Sequence, residues 1–497
     1  DYQTFIATSR YARWIEDKGR RETWVETVQR YTDYLHSKGI DLTGQDWDDI
    51  EGAILELEVM PSMRALMTAG VAADRDNTCI YNCSYVAVDH PRAFDEAMFI
   101  LLCGTGVGFS VERQSISQLP EIPNTLGQSE DVIAVQDSKE GWAKALRKLI
   151  SLLYTGDIPK WDLDKIRPAG SRLKTFGGRA SGPEPLNDLF NFVVAKFKGA
   201  MGRKLNSIEC HDIMCKIGEV VVVGGVRRSA MISLSNLSDT RMAHAKSGSW
   251  WENEKQRALA NNSACYTEKP DSETFLREWL ALVESKSGER GIFSRVAAEA
   301  HVAKNGRRET GYAWGTNPCS EIILRSNQFC NLTEVVVRET DDLASLKRKV
   351  RLATILGTAQ ATFTHMPYLR PIWTKNTSEE RLLGVSLTGI MDHPVLGKNV
   401  DSPKWLAEMK QVAIDTNAEY AERLGIEVSA AITCVKPSGT VSQLVDSASG
   451  IHARHSDHYI RTVRGDNKDP LTQFLKDAGI PAEADVMKPD ATTVFSF

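Results

Sequence analysis

The segment Gly315-Thr316-Asn317-Pro318-Cys319-Ser320-Glu321-Ile322 gathers three side chains able to take part in chemistry. A thiol stands two residues from a carboxylate, and an amide stands two residues before the thiol. Pro318 disfavours helical backbone at Asn317, which predicts an extended or looped conformation there. A second thiol, Cys330, follows 11 positions after Cys319 in Phe329-Cys330-Asn331-Leu332, at the start of a strand-like run. Such a sulfur can be catalytic, with the carboxylate available as a general base. Spacing alone does not separate that reading from two small buried residues, which is what most free cysteines are. A thiol-dependent hydrolase would need a histidine in matching motif context, and none follows.

The chain holds nine cysteines, an odd and modest count for 497 residues, with no Cys-x-x-Cys pair. That argues against a secreted disulfide framework, a zinc ribbon or a thioredoxin-like centre, and for a reducing, cytoplasmic setting. Gly104, Gly106 and Gly108 are spaced G-x-G-x-G and precede the strand-like Phe109-Ser110-Val111, so a dinucleotide-binding turn is rejected. His452, His455 and His458 recur every third residue. On a helix that spreads the rings over more than one face, so no metal site is expected. The net charge of −5 excludes a broad nucleic-acid footprint. No run approaches the roughly 18 apolar residues of a membrane span.

The elements that must position these residues alternate. Trp24, Val28, Tyr31 and Leu35 recur at helical spacing, and Gly39 stops that segment. Residues 80–88 alternate as a strand, with Tyr81, Cys83 and Tyr85 on one face. Strands are further predicted at 219–223, 230–234 and 332–337, and helices at 137–154, 343–361 and 402–424. The polar stretch 114–136, with Pro120 and Pro123, reads as a surface loop. Alternation of this kind argues for an α/β architecture. One catalytic domain, 61–497, with a helical N-terminal cap, 1–60, is the simplest organisation. The strand-like run 492–497 stops abruptly, as if further strands followed.

Asn317-Pro318-Cys319-Ser320-Glu321 with Cys330-Asn331-Leu332 downstream resembles the finger-loop motif of ribonucleotide reductases. The resemblance extends along most of the chain and is nearest to the adenosylcobalamin-dependent (class II) enzymes. It is carried also by Met60-Pro-Ser-Met-Arg64, Tyr81-Asn-Cys83, Gly104-Thr-Gly-Val-Gly-Phe-Ser110, Asp137-Ser-Lys-Glu-Gly-Trp142, Phe176-Gly-Gly-Arg-Ala-Ser-Gly-Pro183, Val226-Arg-Arg-Ser-Ala230 and Lys436-Pro-Ser-Gly-Thr440. One departure is Ser320, where the family usually has glycine.

The resemblance implies a ten-stranded α/β barrel around a central finger loop. Cys319 would carry a transient thiyl radical that takes the 3′ hydrogen of a ribonucleotide. Glu321 would act as general base on the 3′-hydroxyl, and Asn317 would hold substrate hydroxyls. Cys83 and Cys330 would supply two electrons and become a disulfide that a thioredoxin-like reductant reopens. Cys79 competes with Cys83 for that place but lies outside the Tyr81-Asn82-Cys83 motif. Pro437, Ser438, Gly439 and Thr440 would bind phosphate through backbone N–H groups at a helix N-terminus, or simply cap that helix. Ser62 would add a hydroxyl, and the glycine run around Gly106 would allow close backbone approach. Arg227 and Arg228 fall in a stretch that responds to a deoxynucleoside triphosphate effector in the family.

The cofactor implied is adenosylcobalamin. The alternative is a radical received from a ferritin-like metal subunit, with no cofactor bound directly. Relatives that act as monomers carry a long insertion before the Asp137 motif. Only 24 residues (113–136) occupy that interval here, which predicts a homodimer. With so little sequence before Phe5, overall activity control through an N-terminal ATP-cone is not expected. A non-catalytic nucleotide-binding relative is the remote alternative, and joint retention of Cys83, Asn317, Cys319, Glu321 and Cys330 weighs against it.

Overall fold

The computed structural model describes residues 2–171, 173, 180–223, 231–398, 400–486 and 488–497. Arg227, Arg228 and much of the Phe176–Pro183 motif lie outside the described residues.

Eight strands form the central mixed sheet: β1 (Val59–Met60), β2 (Cys83–Ala87), β3 (Gly106–Ser110), β4 (Met231–Asn236), β5 (Ala260–Tyr266), β6 (Gly291–Ser294), β7 (Gln328–Val336) and β8 (Leu383–Thr388). Their order is β6-β5-β4-β3-β2-β7-β8. The first five run parallel, and β7 turns the sheet by pairing antiparallel with β2 and parallel with β8. β1 pairs with the far half of β7, so the last two residues of the N-terminal cap belong to this sheet. The resemblance implied ten strands; among the described residues there are eight. A single parallel bridge from Val385 to Thr433 lies beside β8.

Parallel connections need crossovers, and helices supply them. Arg92–Leu102 joins β2 to β3, Ser207–Val223 leads into β4, and Leu343–Gln360 joins β7 to β8. The inner strands are therefore largely buried on both faces, with all nine residues of β7 buried, while the edge strand β6 is partly exposed. Alternation sorts them into two clusters. Val86, Val107, Phe109, Phe329 and Val335 join the large core. Cys83, Tyr85, Cys330 and Leu332 form a smaller cluster on the other face with Ile322 and Leu324.

Two sequence expectations fail. The β-branched run at 219–223 ends the helix Ser207–Val223 rather than forming a strand. Tertiary packing overrides β-propensity there, because the helix packs against Arg92–Leu102 and Glu184–Gly199. The stretch 114–136 is not a loop throughout: Gly127–Ala134 pairs in parallel with Asp157–Asp162 around the helix Lys139–Thr155. Its strand is largely exposed, so it lacks the apolar alternation that would reveal it. Near the C-terminus, Thr462–Asp466, Ala482–Ala484 and Thr492–Ser496 form a separate three-stranded sheet.

Candidate active site

Two arginines, Arg308 buried and Arg295 partly buried, fix the base of a short hairpin over the sheet. Gly315–Thr316 pairs antiparallel with Ile323–Leu324, leaving residues 317–322 as its turn. Arg295 Nε donates to the Trp314 carbonyl at 3.0 Å, while its two Nη atoms donate to Glu112 at 3.0 and 2.7 Å. Arg308 does the same for the other arm. It donates to the Ile323 carbonyl at 2.7 Å and grips Glu380 with two bonds of 2.8 Å. Fork-to-carboxylate pairing fixes each guanidinium in orientation, so both hairpin arms are held at set positions.

The hairpin lies very close to β2 and β3. A Cβ on Gly108 would stand 1.8 Å from the Thr316 carbonyl oxygen, and one on Gly315 would stand 2.1 Å from the Tyr85 ring. Glycine is required at both places by contact, not by backbone angle. The glycine run therefore serves a close approach, but at Gly108 the partner is the hairpin. Gly106, the residue expected to matter, sits opposite Cys83 in the β2–β3 register.

Asn317 organises the turn. Its Oδ1 accepts from the Ile322 N–H at 3.0 Å, and its carbonyl accepts from the Ser320 N–H at 3.0 Å. Its Nδ2 donates to Glu321 Oε2 at 2.6 Å and to Cys83 Sγ at 3.2 Å. The amide thus joins the carboxylate of the hairpin to a thiol of the sheet. Cys319 stands at the tip, exposed. Ser320 has φ +64°, the left-handed region that glycine enters at least cost. The departure from the family motif falls at the residue where glycine would be easiest.

Cys83 and Cys330 are direct cross-strand partners on β2 and β7. Antiparallel partners have Cα atoms about 4.5–5.5 Å apart, within the range a disulfide needs. Cys79 lies apart, in a 3-10 turn, with its Sγ donating to the Asp76 carbonyl. Burial pushes both Cys83 and Cys330 well above the usual thiol pKa, and neighbouring Glu321 and Cys434 push further. Both sulfurs are therefore held as neutral S–H.

The remaining candidate residues lie on other elements. Ser62 is buried, and its hydroxyl donates to Asn82 Oδ1 and the Ile80 carbonyl while capping the helix Met63–Thr68. That hydroxyl is committed to the fold. Pro437, Ser438 and Gly439 precede the helix Thr440–Leu444, and Ser438 Oγ accepts from the Ser442 N–H at 3.1 Å. Ser438 borders a cavity of about 340 Å³ lined also by Ser442, Ser449, Arg454, His455 and Arg461. Sequence reasoning quoted Lys436 within the Lys436–Thr440 motif but gave it no role, and it did not single out Glu334 or Cys434. Lys436 immediately precedes Pro437 and forms an ion pair with Glu334. His452, His455 and His458 are exposed, and among the described residues no cluster of His, Cys, Asp or Glu is arranged to hold a metal ion.

The chain is 29% identical to an adenosylcobalamin-dependent ribonucleoside-triphosphate reductase of Lacticaseibacillus paracasei, over 96% of this chain and 76% of that one. A reductase of the same name from Euglena gracilis is 28% identical over 98% and 69%. Over nearly its whole length the chain is similar to ribonucleotide reductases. Its fold agrees: a crystal structure of a B12-dependent (class II) ribonucleotide reductase matches with a TM-score of 0.79 at 24% identity, covering 99% of this chain and 80% of the other. The alpha subunit of a class Id enzyme from Actinobacillus ureae reaches 0.54 at 13% identity.

A family model described as the insertion domain of B12-dependent ribonucleotide reductase matches residues 121–195 of the chain. The expectation that such an insertion is missing is thereby corrected. The match extends past Asp137, through the Gly127–Ala134 and Asp157–Asp162 pair into the helix Glu184–Gly199. The homodimer rested on that missing insertion, so its ground is gone. Among the described residues no helix is long and apolar enough to cross a membrane.

Proposed function

We propose that this reductase acts on ribonucleoside triphosphates, with Cys319, Glu321, Asn317, Cys83 and Cys330 as its reacting and binding groups. The observation that carries the reading is the Asn317 amide, which ties Glu321 to Cys83 beside the Cys83–Cys330 register pair. A thiyl radical on Cys319 takes the 3′ hydrogen from the ribose. Glu321 accepts the 3′-hydroxyl proton, which assists loss of the 2′-hydroxyl as water. Cys83 and Cys330 give two electrons and two protons and close to a disulfide. A thioredoxin-like protein must then reopen it, since a dithiol acts once per oxidation. The neutral state of both thiols suits transfer of hydrogen and electrons together.

Adenosylcobalamin is the cofactor this reading favours over a ferritin-like radical subunit. The exposed tip at Cys319 fits a bulky group approaching from outside the sheet, with the Cys319 sulfur as the atom it must reach. Bound there, the cofactor would supply a radical by cobalt–carbon homolysis, while the protein positions the reacting atoms. Pro437, Ser438, Gly439 and Thr440 receive the substrate phosphates. A deoxynucleoside triphosphate effector acts through the stretch containing Arg227 and Arg228. We also read 1–60 as the cap and 61–497 as a barrel of ten strands, with Thr433 marking where one more strand joins.

The test is an assay with a thioredoxin-type reductant, a deoxynucleoside triphosphate and adenosylcobalamin, and no second protein. Deoxynucleotide formation is the expected result. Activity appearing only with a ferritin-like subunit, metal and oxygen would contradict the cofactor assignment.

A further inference from the structure

Glu334 lies on β7 four residues beyond Cys330, on the same face of the strand. It is 2% exposed, yet it is a carboxylate in a strand whose same-face neighbours include the apolar Cys330, Leu332 and Val336. A buried carboxylate is costly unless it is paired and hydrogen-bonded. Glu334 is both. Oε1 accepts from Lys436 Nζ, and Oε2 accepts from Ser438 Oγ at 2.6 Å. Burial acts to lower the Lys436 pKa, but Glu334, with smaller contributions from Glu321 and Cys83, carries it above the ordinary lysine value. Lys436 therefore stays charged between Glu334 and the catalytic constellation.

Ser438 is a junction. Its hydroxyl donates a hydrogen bond to Glu334 and accepts one from the Ser442 N–H, while its carbonyl accepts from the Ser442 and Ser449 hydroxyls. One carboxylate thus pins the 436–438 segment to the strand that carries Cys330.

We infer that Glu334 is a positioning residue for the reduction: it registers the phosphate-binding loop against the redox strand by holding Lys436 and Ser438. Substrate phosphate and substrate ribose are then fixed on one rigid frame, the loop at one end and Cys330 at the other. The inference rests on the reading of 437–440 as the phosphate loop.

The experiment measures binding of a ribonucleoside triphosphate and of the matching ribonucleoside to the full chain. Glu334→Leu removes both bonds, Glu334→Gln keeps acceptor capacity but not charge, and Ser438→Ala removes the loop side of the contact. Loss of a buried hydrogen bond to a charged group should weaken triphosphate binding about tenfold or more in Glu334→Leu, and less in Glu334→Gln. Nucleoside binding should stay unchanged. The double variant Glu334→Leu/Ser438→Ala should be no weaker than the worse single one, because both remove the same tie. Equal loss for nucleoside and nucleotide would overturn the inference, as would additive losses. A Ser438→Ala variant that weakens the triphosphate while both Glu334 variants leave it unchanged would overturn the inference alone. A parent protein that binds the triphosphate no more tightly than the nucleoside would sink the phosphate-loop reading itself.

Discussion

Cys319 and the pair Cys83–Cys330 sit within one site but in opposite surroundings. Cys319 is at the exposed tip of a hairpin, whereas Cys83 and Cys330 face each other inside the sheet, buried and held as thiols. On the proposed reading, the sulfur that a radical source would reach stands outside, and the sulfurs that would join are set opposite each other by strand register. Asn317 bonds the two regions together. The difference teaches that access and pairing are assigned to separate elements, and that one amide keeps them aligned.

The largest effect should come from breaking the exposed side. Cys319→Ala should lower turnover by more than about a thousandfold while nucleotide affinity changes less than twofold, since the exposed thiol contributes little to packing. Multiple-turnover activity near the parent level, measured as deoxynucleotide formed, would remove Cys319 from its role.

Next comes the bridge. Asn317→Asp would set a second carboxylate where the amide now lies 2.6 Å from Glu321. Two like charges so close cannot both ionise readily, so the carboxylate that serves as base gains its charge only at higher pH. Turnover should fall roughly 10²-fold at neutral pH, and the acid limb of the pH–rate profile should move upward. An unmoved acid limb would separate Asn317 from Glu321.

Gly108→Ala tests the frame rather than the chemistry. Its Cβ would meet the Thr316 backbone oxygen at 1.8 Å, which no rotamer change relieves. A loss of about 1–3 kcal/mol of stability is expected in chemical denaturation, with the hairpin displaced and activity reduced. A fully stable variant would show that the hairpin can stand further from β3.

These contrasts explain what the sequence could reveal. The thiols, the carboxylate and the amide were legible because their types and spacing form a compact motif, and 83 and 330 were legible as strand residues. The tie between Glu334 and Lys436 was not, because the two are 102 positions apart and meet only through the fold. Gly108 was visible as a glycine, but its partner, the Thr316 carbonyl, was not. The 219–223 run misled because a buried helix and a buried strand have the same apolar composition.

The smallest effect is expected at Ser320. Replacing it by glycine relieves a left-handed residue at φ +64°, so Ser320→Gly should change stability by about 1 kcal/mol or less, towards greater stability, and leave turnover within twofold. A large loss of turnover would show that the serine side chain itself takes part.

The account stands most directly on the Cys83–Cys330 pairing. Prereduced protein should be given one round of substrate without external reductant, quenched by alkylation, digested and mapped by mass spectrometry. One disulfide joining Cys83 to Cys330 is the predicted product, in proportion to deoxynucleotide formed. A link from Cys330 to Cys79 instead, or deoxynucleotide formed with both thiols still reduced, would contradict it.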